Sequence, residues 1–287
     1  SLTRARSLMK SAYSLKDKEE ISNQFNVLLN LLLNNNHPII RLLIFFVNTN
    51  DKLALKGQTN NFEAKFFFLS RYYAFLDITA LVISSSKEKL DLYLEIFNIS
   101  LMQRNLWDKP YVNCYFYQGY ERIGIRGIKP TIQRLDILEV GKWVDNLKES
   151  KVLDIGSNCC FLGMELSYKV KYVHCLELNP YTLRIAQLVQ NFLDINNLET
   201  ELCDFQEWDK DTHYDVIFSL ATHQTIDMKY RPRLKDHFSK IWKLLSPKGI
   251  LFFECHHAEK DSEGIKDSQA YFDILAYKVV DKFVPSQ

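Results

Sequence analysis

Short, continuously apolar segments alternate with helical segments throughout the second half of the sequence, and this alternation limits the folds open to the chain. The apolar segments begin near Lys151 and read KVLDIG, YVHCLEL, TELCDF, YDVIFSL and GILFFEC. Runs with helical spacing, such as PYTLRIAQLVQNFLDI, lie between them. Apolar strands separated by helices are typical of a parallel sheet covered on both faces. We therefore predict an α/β fold with a doubly wound, mostly parallel, Rossmann-like sheet that binds ligands beyond the carboxyl ends of its strands.

In the first third of the chain the apolar residues have helical spacing, and glycine is almost absent. We predict an α-helical N-terminal domain over 1–105, a linker or lid rich in tyrosine and arginine over 106–150, and the α/β domain over 151–287. Ser85 followed by Glu88 indicates the start of a helix. The apolar residues expected on one buried face of this helix are Leu90, Leu94, Phe97 and Leu101.

The composition argues against some classes of function. The 287 residues carry a formal net charge of +1, whereas dedicated nucleic-acid or membrane-surface binders are usually strongly basic. The six cysteines form no CxxC or CxxH pair, so we expect no zinc site of that type. The most apolar run, IIRLLIFFVN, is too short to cross a bilayer. We predict a protein of the reducing cytoplasm with no membrane partner.

The segment VLDIGSNCCFLG, from Val152 to Gly163, reads as a buried strand, a glycine turn and a helix. Asn158 and Cys160 stand where a nucleotide-binding loop usually carries its second and third glycines. Asparagine tolerates a left-handed backbone better than other non-glycine residues. We expect Cys160 to lie in the first helical turn and to be tolerated rather than functional, so that Cys160→Gly keeps cofactor affinity at some cost to helix stability.

Acidic residues follow the predicted strands at the edge where a ligand would bind. Asp154 and Gly156 end the first strand, Glu177 ends the second, and Asp204 ends the third. An acid about twenty residues beyond a glycine turn suits a ribose, because a carboxylate accepts from both hydroxyls. Asp204 suits the exocyclic amine of an adenine, and Phe205 can then pack on its ring.

These residues resemble the motifs of the class I S-adenosylmethionine-dependent methyltransferases. The resemblance covers about Lys151 to Val284 and rests on VLDIGSN, Glu177, Asp204, YDVIFSL and LLSPKGILFFE, in that order. It implies S-adenosylmethionine as cofactor. The residues that it implies for cofactor binding are Asp154, Gly156, Asn158, Glu177, Leu178, Asp204, Phe205, Ser219 and Leu220. A dinucleotide enzyme is the rival, but it needs closely approached glycines to hold a pyrophosphate, and S-adenosylmethionine has none.

Histidines near the ends of the fourth and fifth strands are the candidate catalytic groups. His223, in SLATHQTID, is the candidate base, because histidine titrates near neutrality. His256 and His257, in ECHHAEK, follow the fifth strand, and a metal held by these histidines is a less favoured alternative. The sequence lacks the Asn/Asp-Pro-Pro-aromatic signature, which disfavours methylation of DNA adenine or protein glutamine.

The linker offers candidates for holding an anionic group. Tyr117, Arg122 and Arg126 precede the first strand, in a preamble weakly similar to that of the tRNA wobble-uridine methyltransferase-like branch. An arginine there can bind the cofactor carboxylate or an anionic acceptor through two hydrogen bonds.

Three functions from different classes follow. The first is methyl transfer to an unidentified polar acceptor, with a small molecule favoured. The second is an RNA methyltransferase that uses Arg122, Arg126, Arg231 and Arg233 on phosphates, as a tRNA-like substrate would require. The third is a degenerate methyltransferase fold that acts as an interaction module, and Cys160 motivates it.

The end of the sequence supplies one helix and one strand where the family's sheet needs two further strands. We expect the chain to be truncated or the sheet to lack one strand, with the edge beside GILFFEC covered by a neighbouring chain or by the segment YVNCYFYQGY.

Overall fold

The computed structural model describes residues 77, 87–107, 118–125, 127, 129–225 and 233–254. Contacts divide the chain into two compact units, with the boundary between Pro130 and Thr131. Residues 131–150 therefore belong to the same unit as the sheet. The division into 1–105, 106–150 and 151–287 stays a prediction.

The first unit contains helix α1 (Lys87–Leu106) and two short parallel strands, β1 (Gln118–Gly119) and β2 (Lys129–Pro130), with a 3₁₀ turn at Glu121–Ile123. No helix in the described ranges is both long and apolar enough to span a bilayer. Helix α1 follows the start predicted from Ser85 and Glu88.

The buried face of α1 differs from the predicted one. Leu92, Tyr93, Ile96 and Ile99 are buried, whereas Leu94 and Phe97 are only partly buried. Leu90 is buried as expected, and the side chain of Leu101 lies outside the described residues. The predicted and the observed apolar residues both have helical spacing. The spacing alone therefore does not show which of two neighbouring stripes on the helix is buried.

The second unit begins with two helices and continues with alternating strands and helices. Its helices are α2 (Thr131–Leu138), α3 (Val140–Trp143), α4 (Phe161–Ser167), α5 (Pro180–Phe192), α6 (Thr222–Thr225) and α7 (Leu234–Leu244). Its strands are β3 (Lys151–Ile155), β4 (Tyr172–Glu177), β5 (Leu198–Leu202), β6 (Tyr214–Leu220) and β7 (Leu245–Glu254). A 3₁₀ turn at Leu147–Glu149 precedes β3.

The five strands described in this unit are all parallel, in the order β5-β4-β3-β6-β7. Counted from β3 this is the order 3-2-1-4-5, which reverses direction between β3 and β6. The predicted doubly wound, Rossmann-like parallel sheet is confirmed. Residues beyond Glu254 lie outside the described part of the chain, so the expectation about the final strands stays a prediction.

Helices cover both faces of the sheet. On one face α4 and α5 contact β4 and β5. On the other, Phe238, Ile241 and Leu244 of α7 join a buried cluster with Leu153 and Ile217 of the sheet. Because each face is covered, successive residues of the central strands are buried, and β3 has only Lys151 exposed. This explains why the strands read as continuous apolar runs.

Gly163 allows α4 to lie close to β4. A Cβ added at this position would lie 2.5 Å from Cys175 Sγ and 3.1 Å from Val173 Cγ1. A side chain there would push the helix away from the sheet. The helix follows directly on the loop after β3, so this contact also sets the position of that loop.

We predict that Gly163→Ala lowers the free energy of unfolding by about 1–3 kcal/mol, because the added methyl overlaps the thiol. Combining it with Cys175→Ala should cost less than the sum of the two single changes, since the second change removes the clashing atom. Urea denaturation measures all three variants. The control is Gly141→Ala in α3, where a Cβ meets nothing within 4 Å, and this change should stabilise the protein. Strict additivity of the Gly163 and Cys175 changes would contradict the close contact.

Candidate functional site

Backbone hydrogen bonds join the carboxyl ends of neighbouring strands. The amides of Gly156 and Ser157, after β3, donate to Leu176 O of β4 over 2.8 and 3.0 Å. Cys203 N, after β5, donates to Glu177 O over 3.0 Å. Ala221 N, after β6, donates to Glu254 O of β7 over 2.9 Å. The residues predicted at the strand ends therefore share one edge of the sheet.

The loop after β3 has a left-handed backbone at every second residue. Gly156, Asn158 and Cys160 have φ values of 68°, 56° and 56°. Asn158 shows the left-handed conformation that the sequence indicated, and its Oδ1 accepts from Cys159 N over 2.8 Å. Such a local hydrogen bond helps asparagine to adopt this conformation. The loop thus keeps a glycine-type backbone with two non-glycine residues.

Gly156 is constrained by Thr222 as well as by its φ angle. A Cβ at Gly156 would lie 2.6 Å from Thr222 Cγ2. The Thr222 hydroxyl donates to Ile155 O over 2.6 Å, which holds the start of α6 against the end of β3. These contacts leave no room for a side chain at Gly156.

Cys160 is the N-cap of α4, so it lies just before the helix and not in its first turn. Its side chain is fully buried, with Sγ 3.1 Å from Ser157 Oγ. The predicted position of Cys160 in the first helical turn was wrong, because the residue precedes the helix and has a left-handed backbone. An L-residue with a Cβ is strained there, by about 1–2 kcal/mol.

We predict opposite effects of glycine at two adjacent cysteines. At position 160, the Gly variant should be more stable than the Ala variant by about 1 kcal/mol, because glycine relieves the left-handed strain. At Cys159, which has no positive φ, the Ala variant should be the more stable by about 0.4–1 kcal/mol. Thermal and urea unfolding of the four variants measure both differences. The same sign at both positions would argue against the left-handed backbone of Cys160.

Glu177 connects this loop to the helix that follows β4. Its Oε2 accepts from Asn158 N over 2.7 Å, and its Oε1 accepts from Asn179 N over 2.8 Å. Asn179 caps α5 and accepts from Tyr181 N over 2.9 Å. Burial raises the pKa of Glu177, and the backbone hydrogen bonds oppose that rise. The neighbouring Leu178 is 43% exposed and offers an apolar surface beside the carboxylate.

Asp204 and Phe205 follow β5 but lie in different surroundings. Asp204 is partly buried, and its Oδ1 accepts from Gln206 N over 2.8 Å. Phe205 is buried in the core, with its ring centroid 5.5 Å from that of His237 and with Lys240 Nζ 4.9 Å from its centroid. The structure therefore puts the Phe205 ring against α7.

Arg134 at this edge was missed by the sequence interpretation. It lies on α2, and its Nη2 donates to Glu254 Oε2 over 2.7 Å at the end of β7. Burial raises the pKa of Asp154 to about 7, and the nearby charge of Arg134 opposes that rise. A guanidinium thus lies close to two acids at the carboxyl edge. Arg134 is distant in sequence from every predicted motif, so nothing in the sequence indicated that it lies at this edge.

Three polar side chains are buried together near the end of β6. Ser219 Oγ lies 3.1 Å from His237 Nε2, and the ring centroids of His223 and His237 are 5.2 Å apart. Burial lowers the pKa of His237 to about 3, so its imidazole is neutral. His237 was missed, because it lies within the amphipathic pattern of α7. Leu220, which ends β6, is partly buried.

Four of the predicted site residues lie outside the part of the chain that the structure describes: Tyr117, Arg126, His256 and His257. Arg122 belongs to the first unit, where its carbonyl oxygen accepts from Lys89 Nζ over 3.0 Å. Their roles stay predictions.

Comparisons with known proteins give solved structures only. The sequence matches no protein family and no curated protein. Among solved structures, the chain is similar to a coclaurine N-methyltransferase bound to N-methylheliamine, with 18% identity, a TM-score of 0.37, and coverage of 43% of this chain and 34% of that one. It is also similar to an S-adenosylmethionine-dependent methyltransferase from Clostridium acetobutylicum, with 18% identity, a TM-score of 0.37, and coverage of 42% and 49%.

A third similar structure is phosphoethanolamine N-methyltransferase 1 from Haemonchus contortus, with 15% identity, a TM-score of 0.35, and coverage of 42% and 24%. The chain spans between about a quarter and a half of the length of these three proteins. The fold assignment rests on the strand order and on the loop geometry described above.

Proposed function

We propose that this protein transfers a methyl group from S-adenosylmethionine to a polar small molecule. The observation that carries the proposal is Glu177, a carboxylate at the end of β4 that accepts from the loop after β3. The two strands lie side by side next to the point where the strand order reverses. Ligands of open parallel sheets bind outside this edge.

The donors and acceptors at this edge fit the parts of S-adenosylmethionine. The Glu177 carboxylate suits the two ribose hydroxyls, and Asp204 suits the adenine amine. Leu178 offers apolar surface for the base, and Asn158 lies beside the Glu177 carboxylate. Arg134 suits the amino-acid carboxylate, because a guanidinium binds a carboxylate with two parallel hydrogen bonds. When bound, the cofactor supplies an electrophilic methyl group.

The loop geometry favours this cofactor over a dinucleotide. A pyrophosphate must approach the backbone at the helix N-terminus closely, which glycines allow. Here Cys160 occupies the N-cap of α4 with a buried side chain, and Asn158 carries a side chain at the preceding left-handed position. A cofactor without phosphates does not need that approach.

His223 is the proposed base for the acceptor, and His237 is a positioning residue. His223 lies in α6, directly after β6, and a neutral imidazole there can take a proton from a hydroxyl or amine. Ser219 fixes one nitrogen of the His237 ring, which lies beside the His223 ring. Methyl transfer otherwise needs mainly alignment of the acceptor with the methyl group.

The decisive experiment is a calorimetric titration of the purified chain with S-adenosylmethionine and with its demethylated product. Saturable binding of both supports the proposal. No binding of either would overturn it and would favour an interaction module.

We predict that Glu177→Gln weakens S-adenosylmethionine binding by roughly ten- to a hundredfold, or about 1.5–3 kcal/mol, because an amide replaces a charged acceptor. Glu207→Gln, at an exposed acid after β5, is the matched control and should not change affinity. Circular dichroism checks that both variants fold. Equal affinity of the Glu177 variant and the parent would refute the ribose assignment.

We predict that Arg134→Gln weakens binding of S-adenosylmethionine by about tenfold or more, because it removes a charge-assisted pair with the carboxylate. Binding of 5′-methylthioadenosine should stay unchanged, since this compound lacks the amino-acid carboxylate. Arg184→Gln, at an exposed arginine of α5, is the control. An equal loss of affinity for both ligands would mean that the substitution disturbs the folding of this edge. No loss of affinity for S-adenosylmethionine would show that Arg134 does not bind its carboxylate.

The acceptor class is testable with methyl-labelled cofactor. Incubation with a small-molecule extract and, separately, with total RNA shows which fraction takes up label. RNA uptake with steep salt dependence would favour the RNA alternative over a small molecule. Of the basic residues proposed for RNA, Arg233 is 81% exposed but is paired with Asp236 over 2.8 Å. Because the chain carries a net charge of only +1, a small molecule stays our preferred acceptor.

A further inference from the structure

A second cluster of polar side chains lies on the neighbouring strands β4 and β5. His174 of β4 and Glu199 of β5 are register partners, and Glu201 lies two residues further along β5. Side chains two residues apart point to the same face of a strand. The three side chains therefore converge, and one ligand atom from each lies within 4.8 Å of the others.

The His174 imidazole is held from one side and unpaired on the other. Its side chain is 3% exposed, and its Nδ1 lies 2.7 Å from the Tyr214 hydroxyl. Its Nε2 lies 3.0 Å from Glu201 Oε2 and 3.8 Å from Glu199 Oε1. Neither contact has hydrogen-bond geometry, and Nε2 has no hydrogen-bond partner among the described residues. A buried nitrogen thus faces two carboxylates.

We propose that His174, Glu199 and Glu201 bind a divalent transition-metal ion of the zinc type. Where the ring carries its hydrogen on Nδ1 and donates it to Tyr214, the Nε2 lone pair faces negatively charged oxygens, and a cation between them removes the repulsion. One imidazole nitrogen and two carboxylates are common zinc ligands, and water completes the coordination. The nitrogen ligand favours zinc, cobalt or nickel over calcium or magnesium, which prefer oxygen.

Each proposed ligand has a partner that orients it. Tyr214 holds His174, and the Tyr172 hydroxyl donates to Glu199. Trp208 Nε1 and Lys210 Nζ donate to Glu201 Oε2 over 3.2 and 2.6 Å and so hold the oxygen that lies 3.0 Å from His174 Nε2. Such outer partners fix the tautomer and position of metal ligands.

The alternative is the other neutral tautomer, in which the Tyr214 hydroxyl donates to Nδ1 and Nε2–H donates to Glu201 Oε2, 3.0 Å away. Lys210 Nζ, 2.6 Å from the same oxygen, then supplies the positive charge, and no metal ion is needed. Titration with a metal ion distinguishes the two arrangements.

The proposed metal site is separate from the proposed cofactor site. His174 precedes Glu177 by three residues, which corresponds to about 10 Å along the strand. Glu199 is 51% exposed, so ions can reach the cluster from solvent. Occupancy would join β4 to β5 and so stabilise that side of the sheet.

The test is titration of the full chain, stripped with chelator, with Co²⁺ alone. Visible absorption reports coordination. The ring centroid of Trp208 lies 5.8 Å from that of His174. The chain has four tryptophans, so the part of the fluorescence quenching that is lost in Trp208→Phe reports the location of the ion. We expect saturable binding and a rise in melting temperature with Co²⁺ or Zn²⁺. The double variant Glu199→Gln, Glu201→Gln should bind one equivalent fewer, whereas Glu207→Gln should bind as the parent does.

Tyr214→Phe separates a metal ligand from a merely structural histidine. Losing the hydrogen bond to Nδ1 should weaken Co²⁺ binding by roughly 10–100-fold. Absence of saturable binding, or an unchanged number of bound ions in the double variant, would overturn the proposal. All these readouts are independent of S-adenosylmethionine.

Discussion

The Glu177 carboxylate holds the candidate cofactor site together. One of its oxygens accepts from the amide of Asn158 in the loop after β3, and the other accepts from the amide of Asn179 at the start of α5. Two chain segments that are distant in sequence are thereby fixed around one charged group. Burial raises the pKa of this group, so the two amides offset a real desolvation cost. The carboxylate that we propose binds the ribose therefore also holds together the two segments that form the site.

Much of the fold was readable from the sequence, because each strand of a sheet covered on both faces must be apolar at nearly every position. β3, β4 and β6 match the predicted segments to within one residue, whereas β5 begins two residues before TELCDF and β7 begins four residues before GILFFEC. Asn179 with Pro180 marks the start of α5. The strand-end acids were readable for a related reason, since parallel strands end at one edge. The buried stripe of α1 was not, because two neighbouring stripes have the same period.

The remaining site residues depend on contacts between distant segments. Arg134 reaches the edge only because α2 lies near the end of β7, 120 residues later. His237 looks like one position of an amphipathic helix until β6 brings Ser219 beside it. The pairing of His174 with Glu199 is a matter of strand register, which spacing within either strand does not reveal. Cys160 was predicted in the first helical turn, but it precedes the helix and has a left-handed backbone.

The strand ends are joined to one another by main-chain groups of Gly156, Ser157, Cys203 and Ala221. Amides and carbonyls are the same in every residue except proline, which lacks the N–H. The shape of this edge is therefore largely independent of which side chains it carries. A residue such as Leu178, which is 43% exposed, can therefore change with little penalty in folding, so this edge can be adapted to a different ligand without first rebuilding the support beneath it.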